Sequence, residues 1–253
     1  MPTSKFEAAT RAGFAARGIM YILIGYLALK SGNSRGNGGA LEYLNSGNGK
    51  ILLAGMAIGF LAYGLWRISE AALDSAGQGS DRKGMAKRGA GLLSGLIHLG
   101  LAFYAARLAS GGGGGGSDGA EKGAAAALSL PGGQTLLTVA AIILLVGGIY
   151  QFVNAAKLGF LRHLDQRAAR EAWVRWAGRL GYAARGLVFL VMAYFLLNAA
   201  RGDNAQRAGG TGDALGSLPP SVQTFVAAGL LLFGLFSLVE ARFRRIAPPE
   251  WAT

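Results

Sequence analysis

The sequence predicts an all-α, polytopic membrane protein with six transmembrane helices, and three observations lead to this fold class. Six apolar stretches of roughly 18–23 residues are each long enough to cross a hydrocarbon core of about 30 Å. Only 15% of the residues are charged, whereas soluble domains carry about 25%. One helical motif recurs along the chain, at residues 11–29, 88–109 and 179–200. The apolar stretches are continuous and do not alternate, which argues against a transmembrane β-barrel.

The six transmembrane helices are predicted at about residues 12–29, 51–73, 89–109, 135–156, 180–200 and 222–240. The first has the charge pattern of a signal peptide, but its motif recurs inside the chain, so we expect a retained helix. Short helices are expected in the connections, at about residues 40–44 and 124–130. The basic connection at residues 157–179 predicts an amphipathic helix at the lipid headgroups, anchored by Trp173 and Trp176. Six consecutive glycines at 111–116 predict a flexible loop.

Charge is distributed unevenly between the two sides of the predicted bundle. Six helices place both termini on one side, and that side holds 18 of the 25 lysines and arginines. Basic residues accumulate in cytoplasmic loops, so both termini are predicted to be cytoplasmic. The net charge of +12 is thereby explained without nucleic acid. We expect the partners of the basic loops to be the bilayer itself and its anionic lipid headgroups.

The second helices also repeat, as GLWRISEA at 64–71, GIYQFVNA at 148–155 and GLFSLVEA at 234–241. Each unit is therefore a pair of helices, and the units cover about residues 11–74, 88–157 and 179–242 of a single membrane domain, 1–253. Units with the same orientation are related by an axis along the membrane normal. The repeat is compatible with a closed pseudo-threefold bundle or with a row.

Alignment of the units isolates two polar positions inside the helices. The first-helix position holds Arg17, Ser94 and Arg185, and the second-helix position holds Glu70, Asn154 and Glu240. An arginine accompanies a glutamate in the outer units, and both become neutral in the middle unit.

Because the charges at the two positions are lost together in the middle unit, we predict polar pairs within each unit. The expected contacts are Arg17–Glu70, Arg185–Glu240 and, more weakly, Ser94–Asn154. A lone charge within hydrocarbon costs up to about 3 kcal/mol at the bilayer centre, and a partner relieves this cost. The pairs are interpreted as clamps that fix each hairpin, with a polar vestibule or a lipid-headgroup site as the alternative.

His98 is the other intramembrane candidate, because it aligns with the aromatic residues Tyr21 and Phe189. A histidine there could ligate haem or relay protons, but His163, the second histidine, lies in a different segment. We therefore expect a packed, hydrogen-bonded His98. The sequence has no cysteine, and we find no histidine cluster with metal-ligand spacing and no nucleophile elbow. A non-enzymatic protein without a cofactor is predicted.

The motifs carry a resemblance to a known family. Gly-Phe/Tyr-Ala-Ala-Arg-Gly opens a helix at 13–18 and 181–186, and Ala-Tyr-Gly-Leu-Trp-Arg at 62–67 runs into Glu70-Ala71. Together they resemble the bacterial membrane protein family catalogued as domain of unknown function 1206. The resemblance covers essentially the whole chain after the first ten residues, and the middle unit departs from it at Ser94 and Asn154. It implies three tandem two-helix units and an inner-membrane location, and it supplies no activity.

Two main functions remain at this point. The expected one is a scaffold or an accessory subunit that serves another membrane protein. The alternative is a small channel or transporter with a polar path along the pseudo-symmetry axis, and a third is a haem or quinone subunit. A dry, packed axis excludes a pore, whereas polar groups around Arg17, Arg185 and His98 that face a cavity favour one.

Overall fold

The computed structural model describes residues 5–31, 37–45, 49–74, 77–112 and 119–246. These residues form helices and no strand. The six long helices are α1 (Lys5–Ser31), α3 (Lys50–Leu73), α4 (Arg82–Ala109), α6 (Gly133–Lys157), α8 (Ala172–Arg201) and α10 (Pro220–Phe243). The short ones are α2 (Asn37–Asn45), α5 (Gly119–Leu128), α7 (Gln166–Arg170) and α9 (Thr211–Gly216). The predicted all-α polytopic fold is confirmed, with six helices long and apolar enough to cross a membrane. Most of the glycine run predicted to be a loop lies outside the described residues.

Three of the long helices begin seven or eight residues before their predicted starts. These helices are α1, α4 and α8, and all three extensions lie on the side that carries the chain termini. The extensions are polar but contain Ala, Arg, Lys and Glu, which favour helix. At α4 the side chain of Asp81 accepts a hydrogen bond of 2.9 Å from the Gly84 amide and caps the new start. Hydropathy therefore marks the part of a helix that lies in lipid and misses the part that continues into water.

The basic connection between α6 and α8 differs from the predicted interfacial helix. It forms a 3₁₀ turn (Gly159–His163) and the short α7. Its apolar residues Leu164 and Ala168 are buried in a cluster with Phe160 and Phe236, so they pack against the protein and not against lipid. Trp173 and Trp176 lie on the first turns of α8.

The order of the helices in space does not follow the order of the units. Each long helix packs against the next one in the order α4, α3, α1, α10, α8, α6, which we call the path of the helices. The second helix of each unit packs against the first helix of the next unit, giving the pairs α3/α4, α6/α8 and α10/α1, which we call the three joints. The helices of the middle unit, α4 and α6, do not pack against each other and form the two ends of the path. The domain is therefore an open arc and not a closed bundle.

Glycine pairs bring the helices of each joint into close approach. The pairs are Gly64 with Gly95, Gly148 with Gly186, and Gly234 with Gly18. A Cβ added at any of these six positions would lie between 2.7 and 3.0 Å from the carbonyl oxygen of its partner glycine. Small residues allow backbones in lipid to approach and gain dispersion contacts. All three joints thus share one packing mode.

The outer hairpins use a second set of small residues that the middle unit lacks. In the first unit a Cβ on Gly59 would lie 2.7 Å from the Cβ of Ala16, and in the third unit Gly229 meets Ala184 in the same way. The aligned residues of the middle unit are Leu93 and Ile143, which are 37% and 43% exposed. Their bulk explains why α4 and α6 stay apart.

Candidate functional site

Arg17 lies at the centre of a buried polar network at the α10/α1 joint. Its side chain lies on α1 and only 6% of the residue is exposed. Its Nε donates to Ser237 Oγ (3.3 Å) and its Nη1 donates to the Tyr63 hydroxyl (3.1 Å). Its Nη2 forms an ion pair with Glu240. Each of these groups accepts from the guanidinium, so the charge is held in one fixed geometry.

Glu240 is the shared acceptor of this network and is 1% exposed. One carboxylate oxygen faces Arg17, and the other faces Arg244, the residue that directly follows α10. The Arg244 guanidinium also lies 4.8 Å from the ring centroid of Phe14. The first and third units are therefore locked together through one buried carboxylate.

The predicted pairing was wrong in its partners. Arg17 pairs with Glu240 across a joint, and Glu70 pairs with Arg67 in the same helix. Arg185 forms no ion pair with Glu240. Ser94 and Asn154 lie on α4 and α6, which do not pack together. The physical reason is that the aligned polar positions face each other between units and not within a hairpin.

Arg185 repeats the position of Arg17 but not its surroundings. Within the described residues its side chain makes neither a hydrogen bond nor an ion pair, and its Nε is buried without a partner. The guanidinium instead lies 4.8 Å from the ring centroid of Phe189, 5.1 Å from that of Phe233 and 5.7 Å from that of Tyr21. Aromatic faces attract the cation but do not neutralise it.

His98 is packed and hydrogen-bonded in the structure. It is 7% exposed on α4, and its Nδ1 lies 2.7 Å from the Ser94 carbonyl oxygen. Its ring centroid lies 4.4 Å from that of Tyr63 and 6.0 Å from that of Phe60. Across the described ranges, no three His, Cys, Asp or Glu side chains are grouped to hold a metal ion.

Sequence reasoning missed a set of arginines that close the joints. Arg88 on α4 donates to the carbonyl oxygens of Ala71 (2.7 Å) and Ala72 (3.0 Å), the two residues before the last residue of α3. The aligned arginines act in the same way: Arg179 donates to Ala155 and Ala156, and Arg11 donates to Ala241 and Arg242. A cation at the carbonyl end of a helix is favourable because it meets unpaired acceptors and the negative end of the macrodipole. The signal was available, since this arginine is present in all three units.

Two surface clefts lie at opposite ends of the helices. One of about 480 Å³ lies beside the end of α10 and is bordered by Arg11, Asp165 and Arg245. The other, of about 530 Å³, lies between α8, α9 and α5 and is bordered by Asn198, Arg207 and Asp213. Neither cleft is lined by Arg17, Arg185 or His98.

Fold and joints together define a polytopic membrane protein built from three tandem two-helix units. Residues 12–74, 90–157 and 180–244 each match the family described as Domain of Unknown Function (DUF1206). The chain belongs to this family. A curated relative is "Uncharacterized protein YxxB" of Bacillus subtilis (strain 168), 27% identical over 249 residues, which cover 93% of this chain and 90% of the relative. No solved structure matches the chain.

Proposed function

We propose that the protein is a non-enzymatic scaffold or accessory subunit of the bacterial inner membrane, with both termini in the cytoplasm. One observation carries the proposal. Arg17 and Glu240 carry the charges that could have formed a transport or catalytic site. They instead form a buried ion pair that joins the first unit to the third. Their geometry serves assembly, because each of the three guanidinium nitrogens of Arg17 already has an acceptor within the protein.

The packing beside Arg17 disfavours a channel along the arc. The rings of Phe14 and Tyr63 meet edge to face at 5.3 Å, and those of Tyr21 and Phe233 at 4.8 Å. The Arg17 guanidinium lies 4.7 Å from the Phe14 centroid and 5.3 Å from that of Phe233. These rings enclose the charge that a polar path would need to expose to water.

The proposed orientation is supported by charge and by aromatic anchors. The end of the bundle with both termini carries 18 of the 25 basic residues, as cytoplasmic loops do. Trp173 and Trp176 are 57% and 58% exposed at this end of α8. Exposed tryptophans at a helix end are typical of the membrane–water interface.

The ends of the arc offer the contact surface for the proposed partner. Only 22% of the apolar stretch of α6 is buried and 28% of that of α4, as of that of α8, against 56% for α1 and 50% for α10. On α6 the exposed side chains include Ile142, Val146 and Ile149. We propose that a transmembrane helix of another membrane protein packs here, where the middle unit has no partner within its own hairpin.

Site-specific crosslinking tests the proposal, since the sequence contains no cysteine. Single cysteines are placed at Ile149 on α6 and, as a control, at Leu65 on α3, which are equally exposed at 52%. We expect crosslinking in native membranes to give a discrete adduct of one mass with Ile149→Cys and none with Leu65→Cys. Ion or solute flux through purified protein in liposomes, or the absence of an adduct along both α4 and α6, would contradict the proposal.

A further inference from the structure

Arg17 and Arg185 occupy the same position of the same motif, and the difference between their surroundings indicates a binding site. Arg17 is satisfied by three acceptors, Ser237, Tyr63 and Glu240. The repeat defines which residues stand at these three positions around Arg185. They are Gln151 in place of Ser237, Phe233 in place of Tyr63, and Asn154 in place of Glu240.

Two of the three replacements remove a hydroxyl acceptor or a negative charge from the α6/α8 joint. Phe233 has no hydroxyl, and Asn154 is neutral. Gln151 is only 7% exposed, and the side-chain amides of Gln151 and Asn154 make no hydrogen bond within the described chain. Arg185, Gln151 and Asn154 all carry N–H donors. The joint therefore combines a guanidinium and two side-chain amides with no carboxylate.

The depth of Arg185 makes an uncompensated charge costly. Arg179 bonds to the last carbonyls of α6, and Arg185 lies six residues further into α8, about 9 Å along the axis at 1.5 Å per residue. A cation in hydrocarbon costs up to about 3 kcal/mol on insertion scales, and less near the interface. An anionic oxygen at the place that Glu240 takes beside Arg17 would remove this cost.

We propose that Arg185, Gln151 and Asn154 bind the anionic headgroup, a phosphate or a carboxylate, of an amphiphile whose apolar tail lies against α6. The headgroup oxygens accept from the guanidinium in the place of an internal glutamate. An amphiphile fits better than a free anion, because the site lies inside the membrane and apolar surface borders it. The Phe152 ring is 38% exposed and lies beside Gly186, so a tail has a surface to cover.

The test measures binding of dodecyl phosphate, dodecanoate and inorganic phosphate to the purified full chain in neutral nanodiscs by calorimetry. We expect both amphiphiles to bind and inorganic phosphate to bind at least tenfold more weakly. Arg185→Gln should weaken amphiphile binding at least tenfold, and Arg185→Lys should retain part of it. Asn154→Glu should abolish binding, because it supplies the carboxylate found at the other joint, whereas Asn154→Gln, which keeps an uncharged side-chain amide at this position, should retain part of it.

Thermal unfolding of each variant separates loss of the site from loss of the fold. If Arg185→Gln does not fold, the pair Asn154→Glu and Asn154→Gln carries the test, since both retain Arg185. Unchanged amphiphile binding in Asn154→Glu would overturn the site. Equal affinity for inorganic phosphate and dodecyl phosphate would overturn the assignment to an amphiphile.

Discussion

The outer units and the middle unit have the same two-helix plan but different internal contacts. In the outer units α1 packs on α3 and α8 packs on α10, through Gly59 and Gly229. In the middle unit α4 and α6 do not pack on each other, and the long helix that each contacts belongs to a neighbouring unit. All three joints are nevertheless built alike, from a glycine pair and a capping arginine.

The joint, and not the hairpin, is the invariant element of this fold. A hairpin can open without loss of a joint, as the middle unit shows. The unit that repeats in the sequence is therefore not the unit that packs in space.

Loss of the buried carboxylate at the α10/α1 joint should have the largest effect. Glu240→Gln leaves the buried Arg17 and the half-buried Arg244 without a counter-charge, and breaking a buried pair costs roughly 3–5 kcal/mol. The control is Glu70→Gln, whose partner Arg67 lies on the same helix, and such helical pairs contribute about 0.5 kcal/mol. Equilibrium unfolding in mixed micelles would measure both, and equal losses would contradict a special role for this joint.

Enlarging a joint glycine should have the next largest effect. At Gly148 an added methyl group would lie 3.0 Å from the Gly186 carbonyl oxygen, and such overpacking costs roughly 1–3 kcal/mol. The control is Gly100→Ala on α4, where nothing lies within 4 Å of an added Cβ. The two free energies of unfolding decide the outcome, and a neutral Gly148→Ala would show that the α6/α8 joint is not closely packed.

Restoring small residues to the middle unit should bring its helices together. Leu93→Ala with Ile143→Gly recreates the residues that meet at Ala16 and Gly59 in the first unit. Cysteines introduced at Ala90 on α4 and at Gly147 on α6 measure the distance between the two helices through disulfide formation. We expect the disulfide yield upon mild oxidation to be at least severalfold higher than in a protein that has the same two cysteines but keeps Leu93 and Ile143. An unchanged yield would mean that the bulk of Leu93 and Ile143 does not hold the hairpin open.

The smallest expected effect is on the pH dependence of stability, through His163 in the connection between α6 and α8. Partial burial and the positive charges of Arg244 and Arg162 lower the pKa of His163 to about 4, whereas the unfolded chain has a pKa of about 6.5 there. The unfolded state therefore binds more protons between these values. The stabilisation is complete above pH 6.5, declines as the pH falls towards 4 and levels off below. His163→Gln should flatten this part of a plot of thermal midpoint against pH, and an unaltered slope would exclude His163 as its source.

Much of the fold could be predicted because apolar length and repetition are properties of the sequence itself. Six helices and three units follow from hydropathy and from the recurring motif around Arg17 and Arg185. Which helices pack together could not be predicted in the same way. An alignment of the units shows that the arginine and glutamate positions vary together, but it does not show whether Arg17 contacts the glutamate of its own unit or that of another unit. The signal that would have corrected the pairing is the glycine pattern. Glycine stands in all three units at the joint positions, such as Gly64, but only in the outer two at hairpin positions such as Gly59.

The lock between Arg17 and Glu240 also sets a condition on biosynthesis. The two residues are 223 positions apart, so α1 is synthesised long before its counter-charge exists. At roughly 5–20 residues per second, the interval is about 10–45 s. During that time the Arg17 guanidinium lacks its carboxylate partner. The nascent chain can complete its central ion pair only when the last helix has been synthesised, so a chain that ends before α10 leaves the Arg17 charge without its carboxylate.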